Sequence, residues 1–424
     1  MFRHLLFLPA VLIATCPVQQ FHKATYHAGW DIHFSPYAGG ENLLFLNRAV
    51  ERAEGYYIAK GEICYSLSPS ARFWRINELF LGWLPLNYLA TVAQHEVFGH
   101  GYRIRDIHRG RAKVDGYSIE VPPPYGSGGG ATGYHIGERL TTTEENTISS
   151  AGVESTAILA QLTKFKWLES NWIDPRTTAL YLLSQHDLNL YIGTLDTNDE
   201  ELDGHDIHMY IKSLNQTYTN HFLSKSKLKA LSWINLADPF TYYSVYAWFR
   251  YVVCGKETHI PMIPIYDFGY LPTVRLGLTP FGPEYFIENY LLKGHKPIYF
   301  YLKGGHHSQN KYAGLGLYAP KLWSLKKWFI GLRFDAWRQP KLLLTPTSIP
   351  FSQIDFDAKP DKNNPLYSYS QQHDMRFGGA GSIVIAYQNK SGFEAELGYK
   401  SSGFLPGYAL RKSPTARIYY SLRF

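Results

Sequence analysis

The sequence predicts an α+β protein: an antiparallel transmembrane β-barrel of about 8–10 strands with a large helical insert after the first strand. Three observations support this class. Apolar and polar residues alternate over residues 26–35 and again in many segments from about residue 262 onward, as in strands with one apolar and one polar face. Helical periodicity dominates between them. Aromatic residues make up 16% of the 424 residues and charged residues only 18%, which suits the aromatic girdles of a membrane barrel.

Residues 1–18 predict a secretory signal peptide. A basic residue near the start is followed by the apolar run 5–14, which is too short to span a bilayer. The residues around Cys16 match a lipobox poorly, so lipidation is the less favoured interpretation. Cys64 and Cys254 lie further along the chain, and in an oxidising compartment they would be able to form one disulfide.

The first barrel strand is expected within residues 22–36 and the helical insert over residues 40–258. The insert would plug the barrel lumen or cover its mouth; alternatively, the first strand would belong to a soluble sheet. Helical patterns cover residues 42–54, 76–100, 143–163, 176–186, 198–214 and 226–250. The apolar run 79–93 contains Pro85 and Asn87, which favours a buried helix over a membrane span.

The most informative segment of the insert is His95-Glu96-Val97-Phe98-Gly99-His100. Two histidines and a glutamate on an apolar helix are the usual means of offering zinc two imidazoles and a general base. Here the histidines are five residues apart, and five residues of a regular helix turn about 500°, which leaves the rings about 140° apart. A π-bulge would bring them together, and Gly99 is a natural place for the distortion. The spacing therefore predicts either a bulge or no metal site.

The pattern H-E-x-x-G-H resembles the zinc motif of the dipeptidyl-peptidase III family of metallopeptidases. The resemblance implies that His95 and His100 bind Zn²⁺, that a glutamate from a later helix is the third ligand, and that Glu96 activates the water. Glu154 is the best candidate for the third ligand, since it lies among apolar and small residues, where an unpaired carboxylate would be costly. Three protein ligands would leave the open position that a reaction needs. Alternatively, both histidines are hydrogen-bonded core residues.

A segment rich in proline and glycine, residues 122–135, follows the motif. No clear strand precedes it and no Lys-Ser/Thr pair follows it, so a phosphate-binding loop is not supported. A mobile lid or substrate loop and a plain linker remain the two interpretations. Tyr134 and His135 are candidate catalytic groups that would stabilise a developing oxyanion beside the metal.

A second cluster of ionisable residues comprises Asp203, His205, Asp206 and His208. These side chains would bind a second metal or orient the imidazoles of the first site through carboxylate–histidine pairs. A solvated helix start, with aspartate near its N-terminus, is the favoured interpretation.

Residues 259–424 predict the remaining barrel strands. The final segment, Ala416 to Phe424, places Leu422, Tyr420 and Ile418 on one face and the arginines on the other. A terminal phenylalanine that closes such a strand resembles the assembly signal of Gram-negative outer-membrane β-barrel proteins. The resemblance implies an outer-membrane location, with outer-membrane lipid and the barrel-assembly machinery as partners. An ordinary amphipathic edge strand is the alternative.

Taken together, the motifs favour an outer-membrane protein with a zinc-dependent, metallopeptidase-like hydrolase site that faces the periplasm or the barrel lumen. A peptide or another small molecule is the expected substrate. The alternative is a non-catalytic outer-membrane barrel whose helical region plugs or scaffolds it, with a structural metal or none. The net charge of +7 is spread along the chain without a basic run, so nucleic acid is not an expected partner.

Overall fold

The computed structural model describes residues 24–57, 67–108, 112–136, 140–194, 205–218, 221–344, 374–389 and 391–423. Several predictions from the sequence lie outside these residues: the signal peptide with Cys16, the pairing partner Cys64, the clustered Asp203 and the terminal Phe424.

Strands lie towards both ends of the described residues, in one hairpin in the middle and in one further short pair. Their bounds are β1 (Thr25–Asp31), β2 (Ala112–Ile119), β3 (Gly130–Ile136), β4 (Trp172–Ile173), β5 (Thr258–His259), β6 (Ile263–Ile265), β7 (Phe268–Thr279), β8 (Gly282–Lys293), β9 (Lys296–His307), β10 (Asn310–Leu325), β11 (Trp328–Pro340), β12 (Met375–Gln388), β13 (Ser391–Lys400) and β14 (Ser413–Arg423).

The helices occupy the region between β1 and β5. Their bounds are α1 (Pro36–Tyr57), α2 (Pro69–Asn77), a first π-helical turn (Glu78–Trp83), α3 (Leu84–His95), a second π-helical turn (Glu96–His100), α4 (Gly101–His108), α5 (Thr142–Ser149), α6 (Ala151–Ser170), α7 (Thr178–Gln185), α8 (Asp187–Thr194), α9 (Asp206–Thr217), α10 (Lys225–Ser232), a 3₁₀ turn (Trp233–Ala237) and α11 (Pro239–Cys254). No helix in the described part of the chain has both the length and the apolar character that a membrane crossing needs.

Ten strands form one large antiparallel sheet in the order β1, β14, β13, β12, β11, β10, β9, β8, β7, β6. The first strand therefore pairs with the last, with Gly29 opposite Tyr419. The mixed helix and sheet class and the large antiparallel sheet agree with the prediction. The prediction of a closed barrel was wrong, because in the described residues β1 and β6 are the two edges of an open sheet.

Side chains from the helices explain why the edge at β1 needs no partner strand. Asn42 of α1 accepts a hydrogen bond from the Gly29 N–H (3.0 Å) and donates one to the Gly29 carbonyl (2.6 Å). At Thr25, the N–H donates to Glu169 (3.0 Å) and the carbonyl accepts from Lys166 (2.8 Å), both on α6. Unpaired edge groups are a template for further pairing, and these bonds occupy them.

At the opposite edge of the sheet, a helical side chain also bonds to a backbone group of β7 that lies beyond the short β6. The N–H of Leu276 donates to the side chain of Asn235 in the 3₁₀ turn, at 2.7 Å. Helical side chains therefore bond to backbone groups near both ends of the sheet.

The sheet face that turns towards the helices carries charged residues, and these are buried and paired. Arg417 donates to Glu396 at 2.9 Å, and Lys303 donates to Glu284 at 3.1 Å. Lys164 of α6 lies 2.6 Å from Asp238. Buried charges are tolerated in proteins when they are paired in this way.

The opposite face of the sheet is apolar and exposed. It presents large side chains at alternate strand positions: Ile287, Leu302, Leu315, Trp328, Ile330, Phe334, Phe377, Ile383, Ile385, Phe393, Leu397, Tyr399, Ile418 and Tyr420. The alternation predicted from the sequence therefore sorts residues onto two faces, but the polar face is the buried one. This polarity is the reverse of that in a water-soluble sheet.

Helix α6 lies between the sheet and the other helices. It contacts β7, β9 and β1 on one side and α1, α3 and α7 on the other. Almost every residue of its 20 is buried, which explains why its sequence shows no polar stripe. The apolar run 79–93 is helical, as expected, and Asn87 within it is fully buried against Asn47 (2.9 Å) and the Arg176 carbonyl (2.6 Å).

Candidate metal centre

The second π-helical turn brings the two motif histidines together. It covers Glu96–His100, and the N–H of Gly101 bonds to the carbonyl of Glu96 five residues earlier. The imidazole centroids of His95 and His100 are 5.0 Å apart. The distortion that the five-residue spacing requires is therefore present, at the position expected from the sequence.

Two glycines allow α6 to pass close to this turn. A Cβ on Gly99 would lie 2.8 Å from the carbonyl oxygen of Ala151. A Cβ on Gly152 would lie 2.0 Å from Nε2 of His95. Any side chain at either position would push the imidazole or the helix away, so both glycines are needed for this approach.

Asp206, the first residue of α9, completes the cluster. Its Oδ2 lies 3.0 Å from Nε2 of His95 and 3.0 Å from Nε2 of His100. The ligand atoms of the three residues all lie within 4.8 Å of one another. Ligands about 2.0–2.1 Å from a tetrahedral zinc are about 3.3 Å apart, so one ion would reach all three with small side-chain adjustments.

A second aspartate, Asp187, binds the ring nitrogen of His95 that faces away from the cluster. Nδ1 of His95 lies 2.8 Å from Oδ2 of Asp187, and the same oxygen accepts a hydrogen bond from Thr156 at 2.8 Å. The ring of Tyr191 stacks on the imidazole, 4.7 Å away and 10° from parallel. In the neutral imidazole that a metal needs, a proton held on Nδ1 would direct the lone pair of Nε2 towards His100 and Asp206, as in carboxylate–histidine–zinc triads.

The carboxylates dominate the electrostatic environment of the two histidines. Burial would lower the pKa of His95, but the carboxylates of Asp187 and Asp206 outweigh it and raise that pKa well above its ordinary value. At His100, burial is likewise outweighed by Asp206, and the pKa is raised. Burial would raise the pKa of Asp206, but the two histidines hold it well below its ordinary value. A divalent cation is the kind of ligand that this field favours.

Glu96 lies beside the cluster and is oriented by the β2–β3 hairpin. The hydroxyl of Thr132 on β3 donates to Oε2 of Glu96 at 2.7 Å. A Cβ on Gly130 would lie 2.9 Å from Cγ of Glu96, so the strand approaches the glutamate closely. Of the segment predicted as a lid or linker, residues 130–135 belong to β3, and residues 122–129 lie in the connection between β2 and β3.

A cleft of about 250 Å³ opens next to His95 and Glu96. Its walls come from α3, α7, α8 and the start of β3, and they are mostly apolar. The lining includes Tyr88, Val92, Leu183, Leu190, Tyr191 and Gly130. Apolar clefts with a few polar groups at one end are typical ligand sites.

The structure places Glu154, the predicted third ligand, outside this cluster. Arg103 donates to Oε2 of Glu154 at 3.1 Å, and the N–H of Gly407 donates to its Oε1 at 2.6 Å. The reason is rotational: two residues on a helix turn about 200°, so when Gly152 faces His95, Glu154 points to the other side of α6. The carboxylate that lies beside the two imidazoles is that of Asp206.

The predicted oxyanion donors, Tyr134 and His135, are consecutive residues of β3. Burial and the nearby carboxylates of Asp206 and Glu145 raise the pKa of Tyr134, which keeps its phenol protonated. Successive strand residues point to opposite faces, so His135 is directed away from Tyr134. It lies opposite Lys113 in the hairpin. Of these two residues, Tyr134 is the one whose hydroxyl lies near enough to Asp206 for that carboxylate to raise its pKa.

The second ionisable cluster of the sequence supplied the missing carboxylate. Asp206 does begin a helix, α9, but its side chain is only partly exposed and lies against the two imidazoles. Its neighbour His205 packs its ring 5.5 Å from that of Tyr191. The only signal in the sequence was the density of aspartate and histidine in that segment. Asp187 and Thr132 gave no signal, because each acts through a contact with a distant segment.

Comparisons of this chain with protein-family models, with curated proteins and with solved structures gave no match.

Proposed function

We propose that this protein is a zinc-dependent hydrolase embedded in the outer membrane of a Gram-negative bacterium. The observation that carries the catalytic part is the meeting of His95, His100 and Asp206, with Asp187 bonded to the far nitrogen of His95. Three ligands and an orienting carboxylate are the pattern of catalytic zinc sites, in which the fourth position takes water or substrate.

Each residue around the centre has a chemical role in this proposal. A bound zinc would polarise the substrate carbonyl and lower the pKa of a coordinated water. Glu96 accepts the proton of the attacking water, and the hydrogen bond from Thr132 holds its carboxylate in place. Tyr134 remains protonated and donates a hydrogen bond to the oxygen that becomes negative in the transition state.

The cleft favours a substrate with an apolar group beside the bond that is cleaved. Val92, Leu183 and Leu190 line it next to Glu96. Peptide hydrolysis is the reaction that the H-E-x-x-G-H resemblance implies, and an ester or amide of lipid or cell wall has the same electrophilic carbonyl.

The membrane part of the proposal is supported by the polarity of the sheet. Charged residues are buried on the helical side and large apolar residues are exposed on the other. In water, such a surface would expose far more contiguous apolar area than soluble proteins do, whereas lipid would favour it. The outward residues of β14, Ile418 and Tyr420, belong to the terminal pattern that resembles an outer-membrane assembly signal.

Metal analysis of the purified full chain tests the centre. We expect about one zinc per chain in the wild type and loss of zinc in His100→Ala and Asp206→Ala, because each removes a ligand. Glu154→Gln and His208→Ala should keep zinc, since neither side chain belongs to the cluster. If Glu154→Gln lost zinc while Asp206→Ala kept it, the third ligand would be Glu154 and not Asp206.

Activity measurements test catalysis separately from metal binding. Glu96→Gln should keep zinc and lose peptide or ester hydrolysis by about 10²-fold or more, because general-base catalysis contributes about 10²–10⁴-fold. Equal activity of Glu96→Gln and wild type, with zinc bound in both, would leave the metal with a structural role.

A further inference from the structure

The exposed surface of the helical region has the same reversed polarity as the sheet. We define the helical wall as α1, α2, the first π-helical turn and α11. Helix α11 exposes four residues, Tyr242, Val245, Tyr246 and Phe249, at the spacing of one helix face. None of them is charged. A helix that faces water normally carries its charged residues there.

The neighbouring elements of the helical wall continue this pattern. On α2 and the first π-helical turn the exposed residues are the apolar Phe73, Ile76, Phe80 and Leu81, together with Pro69, Ser70 and Arg72 in the first turn of α2. On α1, Leu46 and Val50 are exposed one turn apart, and Arg52 and Ala53 are exposed further along the helix. The ring of Phe80 lies 5.1 Å from that of Trp248, which joins the π-helical turn to α11.

Charged residues lie behind this apolar surface, buried and paired. Arg176 is 2.6 Å from Glu78 and 3.1 Å from Glu54. Tyr251 donates to Glu78 at 2.8 Å, and Arg75 donates to the Val252 carbonyl at 3.0 Å. The wall therefore repeats, in helices, the arrangement of charges inside and apolar groups outside that the sheet shows.

The wall also begins at an open edge of the sheet. Asn42 of α1 bonds to both backbone groups of Gly29 on β1, so α1 takes the place of a neighbouring strand. Trp30 on the outward face of β1 is 63% exposed beside it. From α1, contacts run through α3 to the first π-helical turn, then to α2 and α11.

We infer that the helical wall contacts the lipid of the bilayer and continues the apolar face of the sheet where no strand closes it. In hydrocarbon, an unpaired backbone group costs several kcal/mol, so an open sheet needs its edge groups satisfied by neighbouring segments. Asn42, Glu169 and Lys166 do this for β1. A segment that covers an edge at this depth must itself present a mainly apolar surface, and the exposed residues of the wall are apolar except near the end of α1 and the start of α2. The inference rests on the membrane location proposed above.

Spin labels on the full chain test the inference. Single cysteines would replace Val245 and Phe249 on α11 and Leu46 on α1, in a background in which the native cysteines are serine. Ile383→Cys and Leu397→Cys report on the sheet, and Lys229→Cys on the exposed side of α10 is the water-facing control. The proteins are reconstituted in vesicles of phosphatidylethanolamine and phosphatidylglycerol, and collision rates are measured with oxygen and with a water-soluble nickel chelate.

Oxygen concentrates in hydrocarbon, whereas the nickel chelate stays in water. We therefore expect the collision rate with oxygen to exceed that with the nickel chelate at both the wall and the sheet positions. At Lys229→Cys we expect the collision rate with the nickel chelate to be the higher one. Wall labels that meet the nickel chelate while the sheet labels meet oxygen would overturn the inference and leave the membrane location standing. Low collision rates with both reagents at the wall positions would indicate that another protein chain covers this surface, and would also overturn the inference. Sheet labels that meet the nickel chelate would overturn the proposed location itself.

Discussion

The two nitrogens of His95 have different partners, and this difference defines the centre. Asp187 binds Nδ1 and thereby leaves Nε2 to face His100 and Asp206. A carboxylate behind an imidazole fixes its tautomer and raises its basicity, and loss of such a partner typically weakens metal binding. Close packing by Gly152 holds the ring in the plane that this requires.

Replacement of Asp187 by asparagine should weaken zinc binding about 10–100-fold without changing the ligand set, because the amide no longer fixes the proton on Nδ1. Competition with a chelator of known affinity measures the change. Asp267→Asn is the matched control, since Asp267 forms only an exposed pair with Lys293 and should leave affinity unchanged. Equal zinc affinity in Asp187→Asn and the control would contradict the role of Asp187.

A methyl group at residue 152 should abolish zinc binding. The added Cβ of Gly152→Ala would meet Nε2 of His95 at 2.0 Å and displace the ligand atom. Gly193→Ala is a matched control: it is also helical, nothing lies within 4 Å of its Cβ, and it should keep zinc and gain up to about 1 kcal/mol of stability. Metal analysis and thermal unfolding of both variants check this. Full zinc in folded Gly152→Ala would show that α6 lies farther from the site.

At the scale of elements, regular structure is interrupted in two places. One is a turn of π-helix at the histidines, and the other is a sheet edge bonded by a side chain. The π-helical turn Glu96–His100 shifts His100 onto the side of the helix that His95 faces. Asn42 substitutes for a strand at the edge of β1. In both places the deviation from a regular element is stabilised by contacts with another segment.

Replacement of Asn42 by alanine should lower the free energy of unfolding by about 1–3 kcal/mol, because it leaves the N–H and carbonyl of Gly29 without their partner. Denaturant unfolding in detergent measures it. The control Asn77→Ala removes a similar side-chain amide from an exposed position and should cost no more than about 0.5 kcal/mol. The same small cost for both variants would show that the edge is satisfied by other groups.

At the scale of the whole molecule, the distribution of charged and apolar residues bears on the environment in which the fold is stable. Both the sheet and the helical wall bury ion pairs and expose apolar side chains. The hydrophobic effect opposes this arrangement in water, since it leaves apolar surface solvated. A hydrocarbon environment, as proposed above, would remove that cost and would account for the small share of charged residues in the sequence.

A lysine at Leu397 should impair membrane insertion more than an alanine does. The cost of a lysine on a lipid-facing strand is about 2–4 kcal/mol at the bilayer midplane and less near its surfaces. The fraction that resists alkaline extraction from membranes measures insertion for Leu397→Lys, Leu397→Ala and wild type. Leu397→Ala removes the same apolar group without adding charge, so equal extraction of the two variants would contradict a lipid-facing position.

The sequence by itself determined the features that depend on neighbouring residues. Two-residue alternation identified strands of the large sheet and their two faces. The five-residue spacing of His95 and His100 predicted either a distorted turn or no shared metal site, because the period of a regular helix separates the two rings. Only the tertiary structure decided that Asp206, 111 residues after His95, meets the imidazoles and that Glu154 pairs with Arg103. The rotation of α6 about its axis and the helices that cover the sheet edge result from packing between distant segments, and local periodicity does not encode them.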